Sequence, residues 1–455
     1  MIVYTARWVL PVSRPSFEQG AVAVDHGRIV FVGPAADAPS GDRRDLGACA
    51  LMPGLVNVHS HLELTAMRGW LEDLPFRKWI LRLTRARQDV FTPERLLASA
   101  RVGIAEGLLA GITTYADTSE SGMVHQALRD MGVRGVMYLE VFGPRDDQAA
   151  GALETLGSRL TPLRAADSAL VRAGVSPHAP YSVSDALFRG TAALARAEGL
   201  PIAIHAAESD AEHGLVTRAD GDFADALRQR GIPVEARGTS TIELLDRLGA
   251  LGARPLLIHC VRVDPDDVRR IAASGCSVAH CPASNAKLGH GVADLGAFLE
   301  AGIAVGLGSD SVASNNRMDI LDESRLAVLF ARARGRDWRG FPASLGVELS
   351  TLGGARALGL DQEIGSLDVG KSADLAAFPL DRIESVPVHD PETALVFAGS
   401  GRGARLVTVA GAELVRDGRL TADISDDMIT IEETARALRQ FAENGPAVAG
   451  PPRLG

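Results

Sequence analysis

What this 455-residue chain has little of narrows its class before any motif is reached. Four cysteines without Cys-x-x-Cys spacing make a poor disulfide framework. Cys49, Cys260, Cys276 and Cys281 are therefore expected as small buried hydrophobes in a cytoplasmic protein. Among 47 basic residues only Lys78, Lys287 and Lys371 are lysine, and no basic tract occurs. With 57 acidic residues the net charge is −10, which argues against a nucleic-acid footprint or an anionic-membrane patch. No apolar run reaches the roughly 20 residues of a membrane span. Met1 to Pro11 has one early arginine and no small-residue cleavage site, so no signal peptide is expected. A composition 46% hydrophobic and 23% charged excludes disordered, collagen-like and coiled-coil classes and suits a soluble enzyme.

Residues 1–53 alternate apolar and polar positions in short runs, among them Ala21 to Val24 and Arg28 to Val32. The same texture returns at 364–427, in Ala373 to Phe378 and Arg405 to Gly411. The two ends are expected to build one composite β-sandwich. Between them, residues 54–363 alternate short β-rich runs with helical stretches, the pattern of an α/β fold made of repeated βα units. Eight such runs end near His59, Asp117, Val141, His178, His205, His259, Cys281 and Asp310. Eight strands in about 255 residues is the size of a (β/α)8 TIM-like barrel, whose chemistry sits at the strand C-terminal ends. Glu208 to Pro255 is long for one unit and is expected to elaborate the barrel mouth. Residues 428–455 read as a C-terminal helix followed by a loosely held tail from Gly445.

His59 and His61 stand at i and i+2, so strand alternation turns both imidazoles to one face. His205, His259 and Asp310 close three further runs. One histidine after an apolar strand is more often a core residue than a ligand, but five groups at five strand ends point to a divalent ion with an open position. His26, His125, His290 and His389 fall outside the pattern and read as surface or structural residues.

The run Met52-Pro53-Gly54-Leu55-Val56-Asn57-Val58-His59-Ser60-His61 resembles the opening motif of the amidohydrolase superfamily. Leu71 to Trp79, Pro177-His178-Ala179-Pro180-Tyr181, His205-Ala206-Ala207-Glu208, His280 to Gly289 and Gly308 to Asn316 look like its adenosine-type nucleoside deaminase branch, which includes methylthioadenosine and S-adenosylhomocysteine deaminases. The resemblance spans nearly the whole chain. It implies that His59, His61, His205 and Asp310 bind one divalent metal ion, zinc or iron, with Glu208 as proton shuttle and His259 as partner of the metal-bound water. Binuclear relatives use a carboxylated lysine on the fourth strand; Ala169 to Pro177 has none, so a mononuclear site follows. Glu208 and Asp310 would then move the protons while the exocyclic amine leaves as ammonia and a carbonyl takes its place, steps of a kind that contribute roughly 10²–10⁴-fold. Related enzymes are dimers or tetramers, so a homo-oligomer is expected.

The resemblance also gives His178 a sugar hydroxyl to bind and makes Trp79 a wall of the nucleoside pocket. Homocysteine-binding members carry an arginine near the end of the third strand, where this chain has Glu140. His61-Leu62-Glu63-Leu64, with Phe76 to Ile80, looks like the aminodeoxyfutalosine deaminases of menaquinone synthesis, whose adenine nucleoside carries a benzoate-type group on its 5′ side. Arg68, Arg82, Arg145 and Arg218 are the candidates to meet that carboxylate, and Glu63 the candidate to orient a histidine ligand. Aminodeoxyfutalosine therefore leads as substrate, with methylthioadenosine, S-adenosylhomocysteine or adenosine as the alternative. Guanine, pterin or triazine hydrolysis and a non-catalytic scaffold stand behind them.

Overall fold

Strand ends set the site, and the sequence pattern locates them. The computed structural model describes residues 1–399 and 403–444; the expected tail from Gly445 lies outside the described residues. From the N-terminal end come β1 (Ile2–Val9), β2 (Phe17–Asp25), β3 (Arg28–Pro34), β4 (Asp42–Asp45) and β5 (Cys49–Pro53). Then follow β6 (Leu55–Ser60), β7 (Ile112–Ser119), β8 (Arg134–Val141), β9 (Val171–Pro177), β10 (Ala203–Ala206), β11 (Leu256–His259), β12 (Ser277–His280) and β13 (Val305–Leu307). All eight expected strands are present. Helices separate most of them, and β6, β7 and β8 are buried along their whole length, as parallel strands covered on both faces must be.

These eight strands pair in parallel as two four-stranded sheets, β6-β7-β8-β9 and β10-β11-β12-β13, and not as one closed ladder. Single bridges join the halves, Ser60 to Asp310 at one seam and Val175 to Ile202 at the other. The second half has strands of only three or four residues, too short for ladders that run on across the seams.

The ends meet through β14 (Leu375–Pro379), β15 (Leu406–Val409), β16 (Ala412–Arg416) and β17 (Arg419–Leu420). Strands of the two ends pair in one nine-stranded sheet, β17-β16-β15-β14-β5-β1-β2-β3 with β4 on β1. The edge of β1 is shared: β4 takes Ile2 to Thr5, and β5 takes Trp8 and Val9. One face buries Tyr4, Val22, Leu51, Leu375 and Leu406 together. A buried pair ties this sheet to the middle, with the Arg134 guanidinium at the start of β8 donating to both carboxylate oxygens of Asp374. The Glu208 to Pro255 stretch forms three α-helices, Asp210–Arg218, Gly221–Gln229 and Thr241–Arg247, and a short 3-10 turn, Leu251–Ala253. The C-terminal helix Ser425–Asn444 packs Leu438 against Leu64, Met67, Leu71 and Trp79. No described helix is long and apolar enough to cross a membrane.

Candidate active site

The alternation of β6 brings His59 and His61 to the same side, and their rings meet edge-on at 4.9 Å. His205, from the end of β10, lies 4.9 Å from His59, and His259, from the end of β11, lies 5.7 Å away. Asp310 follows β13 and places Oδ1 3.3 Å from His59 Nε2 and 3.5 Å from His61 Nε2. Ligand atoms of His59, His61 and His205 lie within 4.8 Å of one another, as do those of His59, His259 and Asp310. His59 Nε2 is buried without a hydrogen-bond partner. Such a donor set, three imidazoles and a carboxylate around an orphaned nitrogen, fits a divalent metal ion.

Local backbone aims these groups. His259 and Asp310 have φ of 76° and 55°, the left-handed region that a non-glycine residue enters at a cost of roughly 1–3 kcal/mol. Hydrogen bonds hold them there, from Cys260 N to Ala206 O and from Asp310 N to His59 O. Gly308 lets the last strand come this close, because a Cβ there would meet His59 Cβ at 2.8 Å. Behind His61, Asp117 Oδ2 accepts from Ser60 Oγ and Leu62 N and so grips both of its neighbours.

Burial pushes the His59, His61, His205 and His259 imidazoles below their ordinary range, leaving neutral rings with lone pairs to offer. Burial alone would raise the Asp310 carboxyl, but the His59 contact and the surrounding histidines hold it well below the usual range. Its Oδ2 accepts from Ser284 Oγ at 2.5 Å and Ser314 Oγ at 3.2 Å, which keeps Oδ1 turned to the histidines.

Glu208 Oε1 stands 3.5 Å from Nε2 of both His259 and His290, and Tyr181 donates to Oε2 at 3.5 Å. Burial would raise this carboxyl too, yet His259 and His290 bring it below the usual range. His259 Nδ1 lies 3.0 Å from Asn285 Oδ1, and its Nε2 faces Glu208. Glu212 fixes the turn, its two oxygens accepting from the amides of Ala207 and Glu208.

Across His205 lies His178, ring to ring at 4.8 Å, with Nδ1 bonded to Ser182 Oγ and its pKa pushed down to about 3 by burial. Above the cluster, Phe76 meets the His290 ring at 4.4 Å and Phe223 at 6.0 Å, while Phe223 stacks on Tyr181 at 4.2 Å. Trp79 is buried in the apolar cluster with Leu64 and Met67 and stacks on Phe76.

Residues 50–414 match the amidohydrolase family. The chain belongs to that family. It is 32% identical over 418 residues to a 5-methylthioadenosine/S-adenosylhomocysteine deaminase of Moorella thermoacetica, covering 90% of this chain and 93% of the relative. A zinc-bound adenosine deaminase structure from Xanthomonas campestris superposes with a TM-score of 0.86 at 30% identity, over 96% of this chain and 98% of that one. Helicobacter pylori aminofutalosine deaminase, in complex with methylthio-coformycin, shares the fold with a TM-score of 0.79 at 20% identity, over 91% of this chain and 100% of that one.

Against this amidohydrolase geometry, several expectations change. His290, expected as a surface or structural residue, is buried and faces Glu208. His26 and His389 are exposed, and His125 is buried against Asp167. Glu63 orients no histidine, because it accepts from Arg87 Nη2 at 2.6 Å and from Ser121 Oγ at 2.5 Å. The four candidate arginines are engaged elsewhere: Arg68 with Glu106, Arg145 with Asp147, Arg218 with Asp220, and Arg82 over the Trp70 ring. Ser284, Asn285, Glu212 and Asp117 were missed. The four cysteines are free and buried.

Proposed function

We propose that this amidohydrolase is a metal-dependent deaminase that converts a 6-aminopurine nucleoside to its 6-oxo form, water adding across the C–N bond and ammonia leaving. One observation carries the reading: a buried Glu208 held low among His259, His290 and Tyr181, three residues beyond His205 on the rim of the ligand cluster. His59, His61, His205 and Asp310 would hold one zinc or iron ion, the first of these supported by the zinc in the Xanthomonas adenosine deaminase. When bound, such an ion supplies hydroxide at neutral pH by acidifying water.

The proton traffic belongs to the chain. His259 accepts at Nε2, since Nδ1 is committed to Asn285. Glu208, charged at rest, takes a proton from the water that adds and passes it to the ring nitrogen beside the attacked carbon, which makes that carbon electrophilic. Asp310, its outer oxygen satisfied by Ser284 and Ser314, keeps Oδ1 charged and fixed toward the histidines. His178 takes a sugar hydroxyl, and Trp79 backs the pocket through Phe76.

The two seam bridges and the fold neighbours support one eight-stranded barrel over 54–363, with 1–53 and 364–427 forming the smaller unit. The finer readings divide at the 5′ side. The Moorella relative supports methylthioadenosine or S-adenosylhomocysteine. Leu62-Glu63-Leu64 supports aminodeoxyfutalosine and a place in menaquinone synthesis. Ammonia release from the metal-loaded protein is the test, on aminodeoxyfutalosine, methylthioadenosine, S-adenosylhomocysteine, adenosine and guanine. Turnover of a nucleoside is expected; silence on all of them overturns the proposal.

A further inference from the structure

The two hydroxyls that fix Asp310 come from separate short segments. Ser284, whose Oγ donates to Asp310 Oδ2 at 2.5 Å, lies in the helix Pro282–Lys287 after β12, and Ser314, which donates to the same oxygen at 3.2 Å, lies in Val312–Asn315 after β13. Helices of six and four residues do not hold their place unaided. Cys281, at the start of the first, makes no side-chain hydrogen bond to its first turn. Their placement has to come from elsewhere in the fold.

A carboxyl on the helix Ile320–Gly335 touches both segments. Glu323 is 1% exposed; its Oε2 accepts from the Ala283 amide at 3.0 Å and its Oε1 from Asn315 Nδ2 at 2.6 Å. Ala283 is the residue before Ser284, and Asn315 the residue after Ser314. Asn315 Nδ2 donates as well to Ser309 O, at 2.8 Å, on the residue before Asp310. One side chain therefore grips the backbone or side chain next to each hydroxyl and, through Asn315, the chain next to Asp310 itself. Burial pushes this carboxyl up to about 8, and a carboxyl keeps acceptor capacity with or without its proton, so the grip does not depend on charge.

We infer that Glu323 is a positioning residue for the metal site: it braces Ala283 and Asn315 together, sets Ser284 and Ser314 on Asp310 Oδ2, and so keeps Oδ1 aimed at the histidines. The inference rests on the ligand cluster of the proposed function and not on the reaction. Glu323→Gln, close in size, offers one acceptor oxygen and one NH2 group, so one of the two N–H donors is left facing another donor.

Zinc titration against a chromophoric chelator, with folding followed by circular dichroism, tests this, and ammonia release from adenosine is measured in parallel. Glu323→Gln should stay folded and bind zinc about tenfold more weakly than the native protein. In a protein carrying Ser284→Ala and Ser314→Ala, where the hydroxyls it sets are gone, the same change should cost less than about twofold. A loss under about twofold in the native background, or the same loss in both backgrounds, overturns the inference, the second because a carboxyl that only supports the fold acts without regard to the two serines. If Glu323→Gln does not fold, Asn315→Ala, which removes one arm of the grip, is read in the same two backgrounds, with a loss of about threefold expected in the first and the same two results overturning the inference. The expected pattern in zinc binding with no ammonia from any nucleoside supports Glu323 and removes the deaminase reading; ammonia release with zinc affinity unmoved does the reverse, and a native protein that takes up no zinc removes both.

Discussion

Two pairs of carboxyl groups, one pair at the strand ends of each half-sheet, are buried alike and stand in opposite states. On the first half, burial holds Asp117 well above its ordinary range and pushes Glu140 up to about 8. On the second, burial acts the same way on Glu208 and Asp310, yet both end below the usual range. Depth does not separate the pairs; neighbours do. Glu208 and Asp310 face His59, His61, His259 and His290, whereas Glu140 faces Glu63 and Glu120 across one arginine. Ionised oxygens are therefore concentrated among the histidines on one side of the mouth, and a poorly satisfied carboxyl is left on the other.

The contrast breaks most completely at Asp310. Asp310→Ala removes the one carboxylate of the ligand set, so metal analysis should find the ion lost and ammonia release should fall by at least about 10³-fold. Next comes Glu208→Gln, which should keep the metal and lose about 10²–10⁴-fold in kcat; near-native turnover would reassign the proton shuttle. A smaller effect is expected from Ser284→Ala. Without its hydroxyl, Asp310 Oδ2 keeps only Ser314, and metal affinity should drop by about 10–100-fold in a competition titration with a chelator.

The clustered residues were legible because β periodicity and strand ends carry them: His59 and His61 share a face by alternation, and His205, His259 and Asp310 each close an apolar run. His290 was not legible. It sits in the turn after the Pro282–Lys287 helix, closes no strand, and reaches Glu208 only because that turn packs beneath Phe76. The pairing of two candidate arginines was readable: Arg145 and Arg218 each have an aspartate two residues later, and each closes on it. The register within the end sheet was hidden because strand pairing between residues some 320 apart, such as Leu51 and Ala377, leaves no local mark.

The smallest effect gives the sharpest form of the contrast, because the two halves should differ in sign. In metal-stripped protein, Glu140 has a folded pKa of about 8, above its unfolded value near 4.5. Between those values the folded state binds more protons than the unfolded one, so stability falls as pH rises. Glu140→Gln removes that loss: the variant should match the native protein below about pH 4.5 and become the more stable one as pH climbs to 8. Glu208 has a folded pKa below its unfolded value, so its contribution is stabilising above about pH 4.5 and is lost as pH falls through the folded value. Glu208→Gln should therefore be the less stable protein at pH 7 and converge with the native one in acid. Urea unfolding of the three proteins at pH 4, 5.5, 7 and 8 reads both trends. Parallel curves for the two variants would mean that depth, and not the neighbouring histidines and carboxylates, governs the charge of these groups.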